Sequence, residues 1–411
     1  MEKLSIILGK LIQKIIRITG RGGSAFPGLV VEKINPNFIK NVLARLPHGV
    51  LVISGTNGKT TTTKIVTEIL EKQGLKVFTN KSGCNFVRGI ISEILNCSRV
   101  FKKFNYDIAV LELDEAHAVK FCEVVPIDYA LLLNAQRDQL DRFGEIDYTA
   151  KLLQSVASSA KNTVVLNRED PRISKITTNS TAFFGLSNSM LATFPSDDNL
   201  IEGGEVIVSD KKAVVTLEEL SGSRARYRIN EAEYEVDLTL KGIYNAYNAA
   251  GALALCKCIL KDISDYELVN SLKGIESAFG RGESFNIEGC EVEILLVKNP
   301  SAFQLSIASF VDDEHDYMIA INDNYADGCD VSWLWNVDFS SFPHVSTVSG
   351  VRATDMALRL KYDNVTCDII EENLEKAISI FTKSSSRPKC IFTTYTAMLA
   401  IRKIISGKSI L

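Results

Sequence analysis

The segment Val50-Leu-Val-Ile-Ser54-Gly55-Thr56-Asn57-Gly58-Lys59-Thr60-Thr61 constrains this chain more than any other. A short β-rich run, a turn with two glycines and the start of a helical pattern occur in the order that a phosphate loop requires. N–H groups in the first turn of a helix lack intrahelical partners, and the helix dipole favours negative charge there. Gly55, Thr56, Asn57, Gly58, Lys59, Thr60 and Thr61 are therefore expected to cradle a nucleotide's phosphates. Lys59 would reach the terminal phosphates, and the Thr60 hydroxyl would ligate Mg2+. The strict GxxxxGK[ST] spacing asks for glycine at position 53, where this chain carries Ile53.

Such a loop belongs to an open α/β sheet, and the rest of the pattern agrees. Strands are expected at Val50–Ile53, Lys76–Phe78, Ile108–Leu113, Tyr129–Leu133 and Thr163–Leu166, with helices at Thr60–Gln73, Tyr148–Ala160 and Asn245–Leu260. Buried strands joined by helical crossovers predict a mainly parallel sheet. Residues 185–240 read instead as short antiparallel strands (Val206–Val208, Ala213–Leu217, Tyr227–Ile229, Tyr234–Leu238), a small β-rich excursion. A second alternating set follows at Glu291–Val297, Tyr317–Ile321, Asn364–Cys367 and Lys389–Phe392. The expected domains are 1–47, an N-terminal helix and connector; 48–285, the ATP-binding domain; and 286–411, a smaller Rossmann-like α/β domain.

A net charge of −4 provides no basic field for nucleic acid. Nine cysteines without a framework spacing read as cytoplasmic thiols. Residues 4–18 carry Lys10 and Lys14 inside an apolar stretch, which argues against a secretory signal. On a helix, Lys3, Lys10, Lys14, Arg17 and Arg21 share one side, and Leu4, Leu8, Leu11, Ile15 and Ile18 another. That apolar side either packs on the chain's own core or rests on an anionic membrane, which would put residues 1–21 at its inner face.

Gly55-Thr-Asn-Gly-Lys-Thr60 resembles the phosphate loop of Mur ligases and folylpolyglutamate synthases, which use ATP to convert a carboxylate into an acyl phosphate that an amine then attacks. Three further segments support this: Asn134-Ala-Gln-Arg-Asp138-Gln-Leu-Asp-Arg142, Gly242-Ile-Tyr-Asn245-Ala-Tyr-Asn248, and Phe279-Gly-Arg281-Gly-Glu283. Arg21-Gly-Gly-Ser-Ala-Phe-Pro-Gly28, Leu296-Val-Lys-Asn-Pro300 and the run from Asn322 to Trp335 resemble the MurT branch, the ligase subunit of lipid II isoglutaminyl synthase. That resemblance implies ATP-dependent amidation of the D-glutamate α-carboxylate of the lipid II stem peptide, with ammonia from a GatD glutaminase. Two observations agree with it. Only 58 residues precede Lys59, too few for a UDP-sugar domain, and none of His48, His117, His315 and His344 sits in a glutaminase-like motif.

Glu112, at the end of its strand, is expected to ligate Mg2+, with Asp114 and Glu115 competing for that role. By resemblance, Asn134, Asn245 and Arg281 contact nucleotide, and Asn167-Arg-Glu-Asp170 either lies near the adenosine or is a plain turn. Gln139 stands where many relatives have a metal-holding His. Lys151 is either the carbamylated lysine of some relatives or an ordinary surface lysine.

In the C-terminal run, Asp323, Asp327 and Asp330 read from composition as a turn or a cap. By resemblance, one of them, Asp323 first, completes the glutaminase's Cys–His pair. Trp333 and Trp335 would share a face of an extended segment, either anchoring that interface or packing inside the domain. Many MurT proteins carry zinc-ribbon cysteines, but no Cys lies between Cys122 and Cys256, so no zinc site is expected. Two other functions compete: a folylpolyglutamate synthase-like or other Mur-type amino-acid ligase, and a non-catalytic ATP-binding regulatory module.

Overall fold

The computed structural model describes residues 2–19, 25–80, 86–98, 104–136, 146–191, 194, 208–276, 281–287 and 289–406. The first sheet has nine strands in the order β2-β3-β1-β4-β5-β6-β7-β8-β9. These are β1 (Val50–Ser54), β2 (Val77–Thr79), β3 (Ile108–Glu112), β4 (Tyr129–Leu132), β5 (Val164–Asn167), β6 (Thr181–Leu186), β7 (Val215–Ser221), β8 (Arg224–Ile229) and β9 (Ala232–Asp237). Strands β1 and β3 are buried along their whole length, as expected for near-continuous apolar runs covered on both faces by helices.

Chain direction across this sheet positions the site. From β1 the order runs through β3 to β2 on one side and through β4, β5 and β6 on the other. Ligands of open α/β sheets bind beyond the carboxyl ends of the strands at such a reversal. The loop leaving β1, the acidic end of β3 and the segment leaving β4 meet there.

The β-rich segment extends the same sheet. β7 pairs in parallel with β6, and β8 and β9 add antiparallel to it. Within the expected strand Val206–Val208, positions 206 and 207 lie outside the described residues.

The second sheet has the order β10-β11-β15-β12-β13-β14, all parallel except the β10–β11 pair. It comprises β10 (Arg281–Ile287), β11 (Cys290–Leu296), β12 (Asp316–Ala320), β13 (Val345–Ser349), β14 (Cys367–Glu371) and β15 (Lys389–Thr393). β10, which pairs antiparallel with β11, begins at Arg281, ahead of position 286. The strand expected at Asn364–Cys367 begins only at Cys367, because Asn364 turns the chain with φ +59°. β13 was not anticipated: Val345-Ser-Thr-Val-Ser349 carries hydroxyls where a buried strand usually shows aliphatics.

Candidate functional site

Two glycines shape the phosphate loop. Gly58 has φ +87° and caps the helix Lys59–Lys72, and a Cβ there would lie 2.4 Å from Asn248 Oδ1. Gly55 has φ +132°, with Asn134 backbone atoms 2.9 Å from where a Cβ would stand. Both positions therefore need glycine for conformation and for space.

Lys59 is buried; its ammonium donates to Gly55 O at 2.6 Å and lies 3.3 Å from Asp114 Oδ1. The Thr60 hydroxyl donates to Glu112 Oε1 at 2.9 Å. Asn80 fixes the end of β3 by accepting from Glu112 N and donating to Glu112 O, both at 2.9 Å. A hydroxyl and a buried carboxylate so joined form a hard-oxygen donor pair of the kind that Mg2+ takes. Nearby, the Thr61 hydroxyl is buried with no hydrogen-bond partner among the described residues. The glycine cradle, the orphaned hydroxyl and the donor chemistry all fit a nucleoside triphosphate with its cation.

Asp114 pairs with Lys59. Burial opposes its charge, but the Lys59 and Lys298 ammonium groups outweigh burial and hold its pKa below the usual carboxylate range. Glu115, the other competitor, is buried in the first turn of the helix Glu115–Val124.

Asn134 supports the loop directly. Its Oδ1 accepts from Asn57 N at 2.7 Å and its Nδ2 donates to Asn57 O at 3.1 Å. Beyond it lies a cleft lined in part by Asn57, Gly58, Asn167, Asp170, Tyr247 and Asn248. Tyr247 donates to Asn167 Oδ1, and Asn167 donates to Leu133 O at 2.8 Å. Asp170 accepts from three backbone N–H groups, yet burial still raises its pKa. These ties place the Asn167–Asp170 turn in the cleft wall.

Asn245 lies in the first turn of the helix Ile243–Ile259. It is fully buried, donates to Lys241 O at 2.6 Å, and is absent from the cleft lining, which Tyr244, Tyr247 and Asn248 supply from the same helix. Three residues along a helix is nearly one turn, so Asn248 reaches the loop from this helix. Arg281 opens β10, and its side chain lies outside the described residues, as do Gln139 and the rest of 137–145. Lys151 is exposed on the helix Ile146–Ser159 and is not among the residues that line the cleft.

Lys298 and Asn299, which had no role assigned from sequence, reach the loop from the second domain. Lys298 donates to Thr56 O at 2.9 Å, the carbonyl that Lys59 also reaches at 3.3 Å. Asn299 donates to Asn57 Oδ1 at 3.1 Å and caps the helix Pro300–Phe310 through Ala302 N. The Lys-Asn-Pro run was the only available signal, and it was visible as a resemblance rather than as chemistry.

The acidic run is divided by its partners. Asp327 accepts from the Thr396 N–H and hydroxyl, a cap for the helix Tyr395–Ser406. Asp330 accepts from Ser332 N at 2.8 Å. Asp323 is held by the Arg352 guanidinium, with Nε 2.8 Å from Oδ2. Ser332–Asn336 forms a 3-10 turn rather than an extended segment, so the two tryptophans separate. Trp333 packs near Phe303 in the core, while Trp335 is half exposed beneath Arg359 and against Tyr362.

The Mur ligase middle domain model matches residues 53–256, and the MurT ligase C-terminal model matches residues 296–398. The lipid II isoglutaminyl synthase (glutamine-hydrolyzing) subunit MurT of Streptococcus pneumoniae is 29% identical, covering 99% of this chain and 97% of that one. Among solved structures, a type C pseudomurein peptide ligase from Methanothermus fervidus superposes with a TM-score of 0.70 at 19% identity, over 92% of this chain and 84% of that one. MurF ligase from Thermotoga maritima in complex with ADP gives 0.69 at 18% identity, over 92% and 83%.

Proposed function

We propose that the chain, matched by the Mur ligase middle domain and MurT ligase C-terminal models, is the ATP-dependent ligase subunit of a lipid II isoglutaminyl synthase. It amidates the D-glutamate α-carboxylate of the lipid II stem peptide, working with a partner subunit. The observation that carries this reading is the convergence of Lys59, the Thr60–Glu112 pair and Lys298 on one phosphate loop at a domain junction.

A carboxylate oxygen of the substrate forms a bond to the γ-phosphorus of ATP as the bond to ADP breaks. Ammonia then attacks the acyl carbon, phosphate leaves, and the nitrogen loses a proton to give the carboxamide. The attack brings anions together, so positioning and screening by fixed charge carry the rate. Lys59 and Lys298 supply the positive charge from two domains, and Asp114 orients the Lys59 ammonium. Thr60 and Glu112 would hold Mg2+, which supplies further screening of the phosphates. Tyr247, Asn167 and Asn248 bound the space for the nucleoside.

A GatD-like glutaminase would release the ammonia. Asp323, anchored by Arg352 and partly exposed, suits the group that orients that partner's imidazole better than Asp327, which is committed to Thr396. The test is reconstitution of the chain with a GatD-type glutaminase, lipid II, ATP, Mg2+ and glutamine. Conversion of lipid II carboxyl to carboxamide, with one ADP released per amide, is the expected outcome. Glutamate addition to folate instead, or ATP turnover no faster with lipid II than without it, would refute the proposal.

A further inference from the structure

The helix Glu2–Thr19 is fixed to the protein by one face. Ser5, Ile6 and Gly9 are buried, and a Cβ at Gly9 would lie 2.5 Å from Leu95 Cδ1. Asn35 donates to Ser5 Oγ at 3.1 Å, Gln13 donates to Asn96 Oδ1 at 2.9 Å, and Arg45 pairs with Glu2. A helix docked in this way normally turns its polar face to solvent.

This one does the reverse. Leu4, Ile7, Leu11 and Ile18 are 63%, 47%, 54% and 76% exposed. At 3.6 residues per turn these positions form one outward stripe, and Lys3, Lys10 and Lys14 run along one flank of it. None of the three lysines forms an ion pair among the described residues. Of the apolar side expected either to pack on the core or to rest on a membrane, Leu4, Leu11, Ile15 and Ile18 face out, and the core takes the side bearing Ser5, Ile6 and Gly9.

We propose that this outward stripe docks the chain on an anionic lipid surface, with the aliphatic side chains inserted and the three lysines at the phosphate level. Charge selects this occupant over a second copy of the chain. A copy would bring another lysine flank, and the helix's sole carboxylate, Glu2, is already committed to Arg45. The inference goes beyond amidation and does not depend on it.

The test is sedimentation of the full-length chain with sucrose-loaded vesicles, either of phosphatidylcholine alone or with phosphatidylglycerol added. The wild-type chain should bind the anionic vesicles and be released by salt. Lys3→Gln/Lys10→Gln/Lys14→Gln should weaken binding roughly fivefold per lysine, on the order of a hundredfold together. Leu4→Ser/Leu11→Ser, at exposed positions that leave the folded spectrum unchanged, should lower partitioning by about tenfold or more. Four results would overturn the proposal: no binding to anionic vesicles, binding that both variants retain, a dimer that Leu4→Ser/Leu11→Ser dissolves, or release from vesicles when the glutaminase subunit is added. Amidation of detergent-dispersed lipid II by the same variants should stay at the wild-type rate, which separates failure here from failure of the ligase assignment.

Discussion

Lys298→Ala offers the sharpest test of the two-domain site. Lys298 belongs to the second domain, yet its ammonium shares the Thr56 carbonyl with Lys59 and helps hold Asp114 ionised. A unit charge about 4 Å from a phosphate oxygen contributes on the order of 4 kcal/mol at an effective dielectric constant of 20. Only the part of that interaction that strengthens as charge moves during transfer accelerates the reaction. Removal of one preorganised donor commonly costs about 100-fold or more in kcat, roughly 2.7 kcal/mol. Lys298→Ala should therefore lower kcat for amidation about 100-fold while ATP still binds, because the loop glycines and Lys59 remain. Lys298→Arg, which keeps the charge, should recover part of the loss. Steady-state amidation by mass spectrometry, with nucleotide affinity measured separately by calorimetry, distinguishes the terms. A Lys298→Ala enzyme within threefold of wild-type kcat would refute the claim that the second domain supplies a catalytic cation.

Glu112→Gln should keep the fold and shift the Mg2+ concentration needed for half-maximal ATP turnover upward by at least tenfold; an unchanged Mg2+ titration would remove Glu112 from the metal site. Gly58→Ala meets both a left-handed φ and Asn248 Oδ1 at 2.4 Å, so nucleotide binding should be lost in calorimetry while thermal unfolding shows a folded chain. Asp323→Asn should weaken glutamine-driven amidation and leave ammonia-driven amidation intact; equal loss with both nitrogen sources would exclude Asp323 as the partner's orienting group. In the second domain, burial opposes the Asp316 charge, but the Ser385 hydroxyl and the fully buried Lys389 ammonium outweigh it and depress its pKa. The pair's stabilisation is therefore present at neutral pH and lost as pH falls through that depressed value. Asp316→Asn should cost about 3–5 kcal/mol in urea unfolding at neutral pH and flatten the acid limb; an equal pH slope in both proteins would contradict this.

The parts of this fold visible in sequence are those in which a local pattern and a burial pattern coincide. β1, β3 and β4 are unbroken apolar runs ending at a glycine turn, a carboxylate and an amide, so both the strands and the residues at their mouths could be placed. β13 could not, because its hydroxyls are buried where the local pattern offers no hydrophobic signal. Glu112 could be chosen as a metal ligand from its place at a strand end, but its neighbour Asp114 could not be separated from it. That distinction arises only when Lys59 folds back onto Asp114 and Thr60 faces Glu112. Asn245 and Asn248 differ by one helical turn, and sequence cannot say which of the two faces the loop.

Lys298 and Asn299 are about 240 positions from Thr56 and Asn57, in a separate sheet with its own core. No periodicity links them; only docking of the second domain does. The contacts are also unequal in kind. Asn299 exchanges side-chain hydrogen bonds with Asn57, an arrangement that registers the two domains. Lys298 instead delivers charge to a loop that already holds a lysine. Two ammonium groups around one carbonyl repel each other unless anions lie between them, and the Asp114 carboxylate feels both. Bound phosphates would relieve that repulsion and so favour the docked arrangement.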